Sequence, residues 1–480
     1  MAILGSIIKT AIDLRGAIVS EKSPVESQRE VLKNLLEKAK NTAFGKYYGF
    51  SKILEATDIE KEFAEKVPYF ARSSGTTGKT SKRIPVTDEM IEAIRTTGIK
   101  QVGALTNFEI PSDFYEKEIM MLGSSTNLEE QDQFLEGEIS GISASNIPFW
   151  FRGYYKPGEE IAQMDDWDQK VETIAKNARN WDIGALSGIP SWMELMMKKV
   201  IEYHDAANIH EIWPNLQVYT TGGVAFQPYE KSFNQLLAHP IIVIDTYLAS
   251  EGFLAFQNRP DTTSMKLVTD NGIYFEFVPF KPEYINDDGS LAQDAPALTL
   301  AEVEPGVDYV LIISTVSGAW RYLIGDTIAF TDVEKAEIKI TGRTKFFLNV
   351  VGSQLSVNKM EVALREMEEK FDIKIPEFTL AAVKIEGEFY HHWYLGTQTE
   401  IDAAEIANAL DEALKEANKN YAVARSKALK GVKVNTVNPE IFHEWNAKNK
   451  KKGGQVKMEK VMDEEKFAEW ERFVKTQVKE

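Results

Sequence analysis

The chain has 480 residues, which is too long for one ordinary hydrophobic core, so two or three structural units are expected. It carries 55 Lys and Arg against 73 Asp and Glu, and the net charge of −18 disfavours general binding to nucleic-acid phosphates or anionic membranes. There is no cysteine, which excludes disulfides, thiolate metal sites and thioester chemistry on a protein thiol, and which fits a reducing cytoplasm.

The N-terminal region is predicted to be helical. Apolar runs broken by charges at helical spacing predict an amphipathic helix over Met1 to Ser20, not a signal peptide. A second helix is predicted over Ser27 to Lys40, whose apolar stripe consists of Val31, Leu32, Leu35, Leu36 and Ala39. No apolar stretch approaches the roughly 20 residues that a membrane span needs, so a cytoplasmic protein is expected.

Strands and helices then alternate along the chain. Strands rich in β-branched and aromatic residues are predicted at Glu118–Leu122, Leu216–Thr220, Ile241–Thr246, Gly272–Val278 and Asp308–Thr315. Helical patterns lie between them, notably at Trp167 to Trp181 and Ser191 to Tyr203. This alternation predicts an α/β fold in which β-sheets are flanked by helices.

The pattern changes after Asp326. Short strands and two helices are predicted at Glu337–Thr341, Phe346–Val350, Asn358–Phe371 (helix), Phe378–Ile385, Phe389–Thr397 and Asp402–Asn418 (helix). The sequence therefore predicts a large N-terminal domain over residues 1–341 and a smaller α+β C-terminal domain over residues 342–480.

The first segment with chemical potential is the Gly-rich stretch from Arg72 to Lys82. Glycines let backbone N–H groups converge, and hydroxyls and a lysine add donors to phosphate oxygens. A P-loop needs four residues between its glycines, whereas two separate Gly75 from Gly78. The composition is equally compatible with a plain polar loop.

Two further segments follow apolar strands. Thr220 to Val224 contains paired glycines, which would let a flat base lie against the backbone, although taken alone the segment favours an ordinary strand-terminating turn. Thr246 to Gly252 offers Tyr247 for stacking and Glu251 as a hard oxygen ligand for Mg²⁺. A core tyrosine and a solvated glutamate remain the alternative.

The fourth segment runs from Trp320 to Asp326. A carboxylate at Asp326 could accept hydrogen bonds from ribose hydroxyls. Taken alone, the segment favours a Gly325–Asp326 turn with Arg321 in a surface ion pair.

The order of these segments resembles the adenylate-forming superfamily. Within that superfamily, the chain is most similar to the auxin-responsive (Gretchen Hagen three type) acyl-acid amido synthetases, and it resembles a bacterial-type member of that family. Ser73 to Gly78 resembles the first nucleotide motif, Tyr247 to Gly252 the second, and Trp320 to Asp326 the third. The resemblance implies that fold for the whole chain, with a small mobile domain.

The resemblance also implies roles for individual residues. The triphosphate would be held by Ser73, Ser74, Gly75, Thr76, Thr77 and Gly78, with Thr76 taking part in catalysis. The adenosine would be held by Thr221, Gly222, Gly223, Val224, Thr246, Tyr247, Ser250, Asp326 and Arg343. Glu251 would bind Mg²⁺ and contribute to catalysis.

Residues 342–345 resemble the hinge of the superfamily, although Lys345 stands where most members have Asp. Lys457, in Gly453 to Lys457, resembles the lysine that bridges the carboxylate and the α-phosphate. Its alternative is a solvated lysine after a basic run.

The implied activity is ATP-dependent and forms an acyl-adenylate, which an amine, expected to be an amino acid, then attacks with release of AMP. The six histidines are expected to be structural or surface residues, and the chain a monomer or weak homodimer that binds neither nucleic acid nor membrane. An acyl-CoA ligase, a non-catalytic nucleotide-binding protein on the same fold, and a purely structural protein remain alternatives.

Overall fold

The computed structural model describes most of the chain. The described residues are 22–67, 84–123, 126–131, 134–147, 151–164, 166–222, 226–286, 290–344, 347–348, 355–385, 388–399, 401–418, 421–422, 425, 429–448, 458–462 and 464–477. The helix predicted over Met1 to Ser20 lies outside these ranges. No helix in the described ranges is long and apolar enough to cross a membrane.

The helices and strands are numbered here in chain order. The α-helices are α1 Pro24–Ala39, α2 Ala43–Tyr47, α3 Phe50–Leu54, α4 Ile59–Lys66, α5 Asp88–Ala104, α6 Ile139–Ser145, α7 Glu159–Ala162, α8 Trp167–Asn177, α9 Pro190–Tyr203, α10 Gln227–Asn234, α11 Val357–Phe371, α12 Ala403–Ala417, α13 Glu440–Lys448 and α14 Glu464–Gln477. The strands are β1 Glu118–Leu122, β2 Glu129–Gln131, β3 Phe134–Glu136, β4 Tyr155–Lys156, β5 Ile183–Gly188, β6 Val218–Gly222, β7 Ile242–Ala249, β8 Gly252–Phe256, β9 Met265–Leu267, β10 Ile273–Pro279, β11 Asp308–Thr315, β12 Tyr322–Asp332, β13 Glu337–Arg343, β14 Phe347–Leu348, β15 Leu355–Ser356, β16 Glu377–Ile385, β17 Glu388–Gly396 and β18 Leu429–Val437.

The chain forms two compact units. The first takes the chain up to Pro279 together with Asp294–Ile324 and Ala329–Lys339. The second takes Phe280–Gln293, Gly325–Ile328 and the chain from Ile340 onward.

An eleven-stranded sheet provides the framework of the first unit, with the strand order β10-β11-β12-β13-β9-β8-β7-β6-β5-β1-β4. Strands β4, β1, β5, β6 and β7 are parallel, and β7, β8 and β9 pair antiparallel. Parallel neighbours need crossover connections, which α8, α9 and α10 help to supply. The carboxyl ends of β5, β6 and β7 consequently meet at one edge of the sheet.

Alternation of side chains along β5 to β7 buries both faces of the parallel sheet. One face packs against α8, α9 and α10 through residues that include Leu186, Met193, Tyr219 and Phe233. The opposite face packs against the segment after α5 through Val218 and Ile244, among others. Packing on both apolar faces therefore holds these strands in place between α8, α9 and α10 on one side and the segment after α5 on the other.

The N-terminal helices cover the edge strand β10. Helix α1 begins with a capping box between Ser23 and Glu26 and buries the apolar stripe predicted from the sequence, except for the partly buried Ala39. The Gln28 side chain accepts a hydrogen bond from Phe275 N at 2.7 Å and donates to Ile273 O at 2.9 Å. This buried amide therefore satisfies backbone groups of β10 that lack a strand partner.

The second unit has its own sheet, in which β16 pairs antiparallel and β18 pairs parallel with β17. Helices α11 and α12 cover one face through residues that include Leu364 and Leu410. Helices α13 and α14 cover the other face around Trp470. Separate cores on both faces make this a compact α+β unit.

The structure confirms the predicted α/β class, and most predicted elements agree with the observed ones. Strands β1 and β11 have the predicted bounds. Strand β6 is displaced by two residues towards its carboxyl end, and β7 begins one residue later and ends three residues later than predicted. Helices α9 and α11 each begin one residue earlier than predicted.

Candidate functional site

The carboxyl edge of the parallel strands carries the residues predicted to hold a nucleotide base. In open α/β sheets, ligands bind outside the carboxyl ends of the strands. The register pairs Gly188 of β5 with Thr221 of β6, and Gly222 of β6 with Thr246 of β7. Residues distant in sequence thus become lateral neighbours at this edge.

A hydrogen bond from a side-chain hydroxyl of β7 links that strand to the end of β6. Thr246 Oγ1 donates a hydrogen bond to the carbonyl oxygen of Thr221 at 2.8 Å. A Cβ added at Gly222 would lie 2.6 Å from Thr246 Oγ1, so only glycine fits beside this hydroxyl. Close packing against Thr246 therefore accounts for a glycine at this position.

The turn after β7 carries the predicted stacking and metal-binding residues. Tyr247 is 5% exposed, Ser250 is exposed and Glu251 is half-buried. Gly252 closes the turn at φ 145°, and a Cβ there would lie 2.7 Å from Ile273 Cδ1. This crowding pins the turn against β10 and so restricts the backbone next to Glu251.

The donor set suits a metal that arrives with phosphates. Among the described residues, no group of three or more His, Cys, Asp or Glu side chains could hold a metal ion. Mg²⁺ in nucleotide enzymes takes one or two protein carboxylates and completes its shell with phosphate oxygens and water. A single carboxylate at Glu251 fits that requirement.

Asp326 and Arg343 lie together in the second unit. Asp326 is 6% exposed, and its Oδ1 accepts a hydrogen bond from Arg343 Nε at 2.6 Å. Arg343 is the last residue of β13, and the next residue, Thr344, donates its backbone N–H to Gly325 O at 2.8 Å. The two predicted nucleotide-binding residues therefore form a charge-assisted pair.

Several predicted site residues lie outside the described ranges, and their roles stay predictions. They are Ser73, Ser74, Gly75, Thr76, Thr77, Gly78, Gly223, Val224, Lys345 and Lys457.

The surface alternative for Arg321 is wrong. Arg321 is 2% exposed, and its Nε donates to Glu276 Oε2 at 3.0 Å while Nη2 lies 2.9 Å from Oε1. Its Nη1 also donates to the carbonyl oxygens of Ala64 and Val67, at 2.9 and 2.5 Å. A buried charge needs such partners, and they come from β10 and from the end of α4. Gly325 and Asp326 likewise lie within β12 and do not form a turn.

One carboxylate at the sheet edge had escaped the sequence reasoning. Asp245 precedes Thr246 in β7 and pairs with Thr221 in the register. The sequence does mark this residue, because Asp245 is a single charge that directly follows the apolar run from Ile241 to Ile244. Burial raises the pKa of Asp245 to about 6, and Lys339 opposes that rise.

Comparison with known protein families gives three matches in chain order. The N-terminal domain of the GH3 family matches residues 19–69, 63–171 and 131–241, the GH3 family central domain matches residues 266–343, and the GH3 family C-terminal domain matches residues 358–466. Together these segments span nearly the whole chain.

Individual relatives are more distant. Indole-3-acetic acid-amido synthetase GH3.8 of Oryza sativa subsp. indica is 26% identical over 262 residues, which are 50% of this chain and 42% of that protein. Jasmonoyl--L-amino acid synthetase GH3.5 of Oryza sativa subsp. japonica is 25% identical over 43% of this chain and 38% of its own length. The matches thus cover less than half the length of these relatives.

The fold is shared over a longer stretch. The solved structure of GH3.15 acyl acid amido synthetase matches with a TM-score of 0.72 over 94% of both chains, at 14% identity. This likeness shows the adenylate-forming enzyme fold with its separate C-terminal domain.

Proposed function

This chain belongs to the GH3 family, and we propose that it is an AMP-forming ligase that activates a carboxylic acid with ATP and joins the acyl group to an amine. The observation that carries the proposal is the succession of all three GH3 domains along one chain. The position of Gly222 and Thr246 supports it, because they are register partners at the carboxyl end of β6, where open α/β sheets bind ligands. The expected acceptor is an amino acid, as in the name of jasmonoyl--L-amino acid synthetase GH3.5.

In the first half-reaction, the carboxylate of the acid attacks the α-phosphate of ATP and pyrophosphate leaves. Such a reaction depends on positioning and charge stabilisation more than on covalent protein chemistry. Gly222 and Tyr247 would hold the adenine, Asp326 the ribose hydroxyls, and the residues from Ser73 to Gly78 the phosphates. Lys457 would bridge the carboxylate and the α-phosphate.

The metal proposed for this step is Mg²⁺, held by Glu251 and by the phosphates of ATP. When bound, it would offset the negative charge that develops on the leaving pyrophosphate. Glu251 directly precedes Gly252, which is crowded by Ile273.

In the second half-reaction, the nitrogen of the amine attacks the acyl carbon and AMP leaves. We propose that the chain from residue 342 acts as a mobile small domain between the two half-reactions, with the hinge near Arg343. Cytoplasmic location, a monomer or weak homodimer, and substrates limited to small molecules complete the proposal.

The test is ATP–pyrophosphate exchange with a panel of aromatic, aliphatic and hydroxylated carboxylic acids. Acids that support exchange are then combined with amino acids or with coenzyme A, and the products are identified by mass spectrometry. Amide formation with AMP release is the expected result. Thioester formation without any amide would indicate an acyl-CoA ligase. ATP binding without exchange for any acid would indicate a non-catalytic nucleotide-binding protein.

A further inference from the structure

Asp245 lies at the ligand-binding edge of the parallel sheet. Side chains alternate along β7, so Asp245 shares a face with Val243, which packs against the cluster around Tyr219 and Met193. Its register partner is Thr221, whose Cα in an adjacent strand lies about 5 Å away. The carboxylate therefore lies on the α9 and α10 side of the sheet, in β7 beside the end of β6.

Within the described residues, the Asp245 carboxylate has no hydrogen-bond or ion-pair partner; Gln257 bonds only its backbone N–H and C=O. The residue is half-buried. Lys339 lies near enough to influence the pKa of Asp245 but forms no ion pair with it in the described structure. Burying a carboxylate without a partner costs free energy, so its retention needs an explanation.

A second polar group beside Asp245 is in the same condition. Thr221 is fully buried, and its Oγ1 makes no hydrogen bond that satisfies the geometry within the described residues. It lies near the Tyr219 hydroxyl, which donates its proton to Gly188 O at 2.8 Å. Two adjacent polar groups without partners, at the edge where ligands bind, point to a ligand that supplies hydrogen-bond donors.

We propose that the Asp245 carboxylate receives the ammonium group of the amine substrate and accepts its proton in the second half-reaction. This inference rests on the proposed function. An amino acid arrives protonated and cannot attack a carbonyl until its nitrogen has lost a proton. The Asp245 carboxylate, which lies in β7 beside the end of β6, can form an ion pair with that ammonium group and then accept its proton as the base.

The step balances without any further reactant. One ammonium proton passes to Asp245, and the freed lone pair forms a C–N bond to the acyl carbon. The bond from that carbon to the phosphate oxygen of AMP breaks, and AMP leaves as the anion. The second proton on nitrogen passes to water, and the Asp245 proton follows it when the product leaves.

The environment suits a base that works near neutral pH. With its pKa raised to about 6, the carboxylate is ionised at pH 7 yet holds a proton better than an exposed aspartate. The titratable groups near it among the described residues are Lys339 and Tyr219, and burial holds the pKa of Tyr219 above its ordinary value. Tyr219 therefore stays neutral throughout the working range.

The test separates the two half-reactions in Asp245→Asn. ATP–pyrophosphate exchange should remain within about threefold of the parent, whereas amide formation with amino acids should fall about 10²- to 10⁴-fold, the usual contribution of a general base. Hydroxylamine, which is largely uncharged at neutral pH, should still accept the acyl group at close to the parent rate. Residual amide formation should rise with pH as the free-amine fraction increases.

The control is Asp270→Asn, which removes an exposed carboxylate paired with Lys100. Asp245→Asn should also match or exceed the parent in thermal stability, because the half-buried carboxylate has no hydrogen-bond or ion-pair partner to lose within the described residues. Asp245→Leu provides a second variant with the same expectation. Equal loss of exchange, hydroxylamine transfer and amide formation would assign Asp245 a structural role and overturn the inference, as would unchanged amide formation.

Failure of the parent and failure of the inference give different results. If no acid supports ATP–pyrophosphate exchange by the parent, the proposed function is wrong and the role of Asp245 is wrong with it. If the parent forms amides and Asp245→Asn forms them equally fast, the function stands and only the role of Asp245 is overturned.

Discussion

Arg343 donates a hydrogen bond from Nε to Oδ1 of Asp326 across 2.6 Å. The aspartate is nearly buried, whereas 45% of the arginine side chain is exposed. The Arg343 guanidinium neutralises and orients the carboxylate. An oriented carboxylate is what a pair of ribose hydroxyls needs as an acceptor.

Replacing Asp326 by Asn is therefore expected to weaken ATP binding roughly 10- to 100-fold, because hydrogen bonds to a charged group are worth about 1.5–3 kcal/mol. Isothermal titration calorimetry with ATP and 2′-deoxy- and 3′-deoxy-ATP measures the effect. The parent should bind the deoxy nucleotides more weakly than it binds ATP. Asp326→Asn should bind the deoxy nucleotides about as weakly as it binds ATP. Asp332→Asn, in the same strand but paired with exposed Lys335, is the control. Full discrimination among the nucleotides in Asp326→Asn would contradict the ribose assignment.

The sequence predicted the strands well because apolar runs and turn residues are local signals. It ended β7 at Thr246, three residues before the observed end at Ala249. It could not predict the burial of Arg321, because the partners lie 45 residues away at Glu276 and 257 residues away at Ala64. Nor could it show that Thr221 and Asp245 are neighbours, since the register of two parallel strands depends on the packing of the whole sheet.

Lys457 is predicted to act on the chemistry and not on ATP affinity. Lys457→Ala should lower pyrophosphate exchange by at least 100-fold while ATP binding changes less than about threefold, since the lysine would contact developing charge in the transition state. Lys460→Ala is the control, because Lys460 pairs with Glu377 within the second unit. Near-normal exchange in Lys457→Ala would remove this residue from the mechanism.

Gly222 is predicted to be irreplaceable for a steric reason. Gly222→Ala would place a Cβ 2.6 Å from Thr246 Oγ1, and overpacking of this kind costs about 1–3 kcal/mol. Pyrophosphate exchange should fall at least tenfold as the strand ends separate. Gly98→Ala is the control, because a Cβ there would meet nothing within 4 Å.

A second substitution tests the cause of that loss. Truncating the neighbour in Gly222→Ala/Thr246→Ala removes the atom that clashes, so exchange should return to the level of Thr246→Ala alone. If the double variant is no better than Gly222→Ala, the alanine acts on the ligand and not on Thr246.

The Arg321–Glu276 pair is predicted to hold the first unit together. Arg321→Met should lower the free energy of unfolding by about 3–5 kcal/mol. The substitution leaves Glu276 buried without a counter-charge, and it leaves the carbonyl oxygens of Ala64 and Val67 without their donor. Replacing both residues in Arg321→Met/Glu276→Leu should recover part of that loss. Urea denaturation monitored by tryptophan fluorescence measures it. Lys38→Ala, which breaks an ion pair between the exposed side chains of Lys38 and Glu89, should cost less than about 1 kcal/mol. An equal loss in the two single variants would contradict the argument.

His391 is predicted to make the second unit sensitive to acid. The imidazole is fully buried, and neither ring nitrogen has a hydrogen-bond partner in the described structure. Burial lowers the pKa of His391 from 6.5 to about 3, although Asp411 opposes the shift. The unfolded chain therefore binds a proton between these values that the folded chain does not, so stability is fully present above pH 6.5 and is lost as pH falls.

The expected loss is about 1.4 kcal/mol per pH unit, or about 2 kcal/mol between pH 6.5 and 5, and His391→Leu should abolish it. This window avoids Asp411, whose burial is outweighed by hydrogen bonds from Arg425, Tyr421 and Lys415 that lower its pKa to about 2. Burial raises the pKa of Glu361 and so acts with the opposite sign, which is why the parent and the variant are compared at each pH. Exposed His443, replaced by Leu, is the control. Equal pH slopes in the parent and in His391→Leu would show that the folded protein protonates His391 as readily as the unfolded chain does.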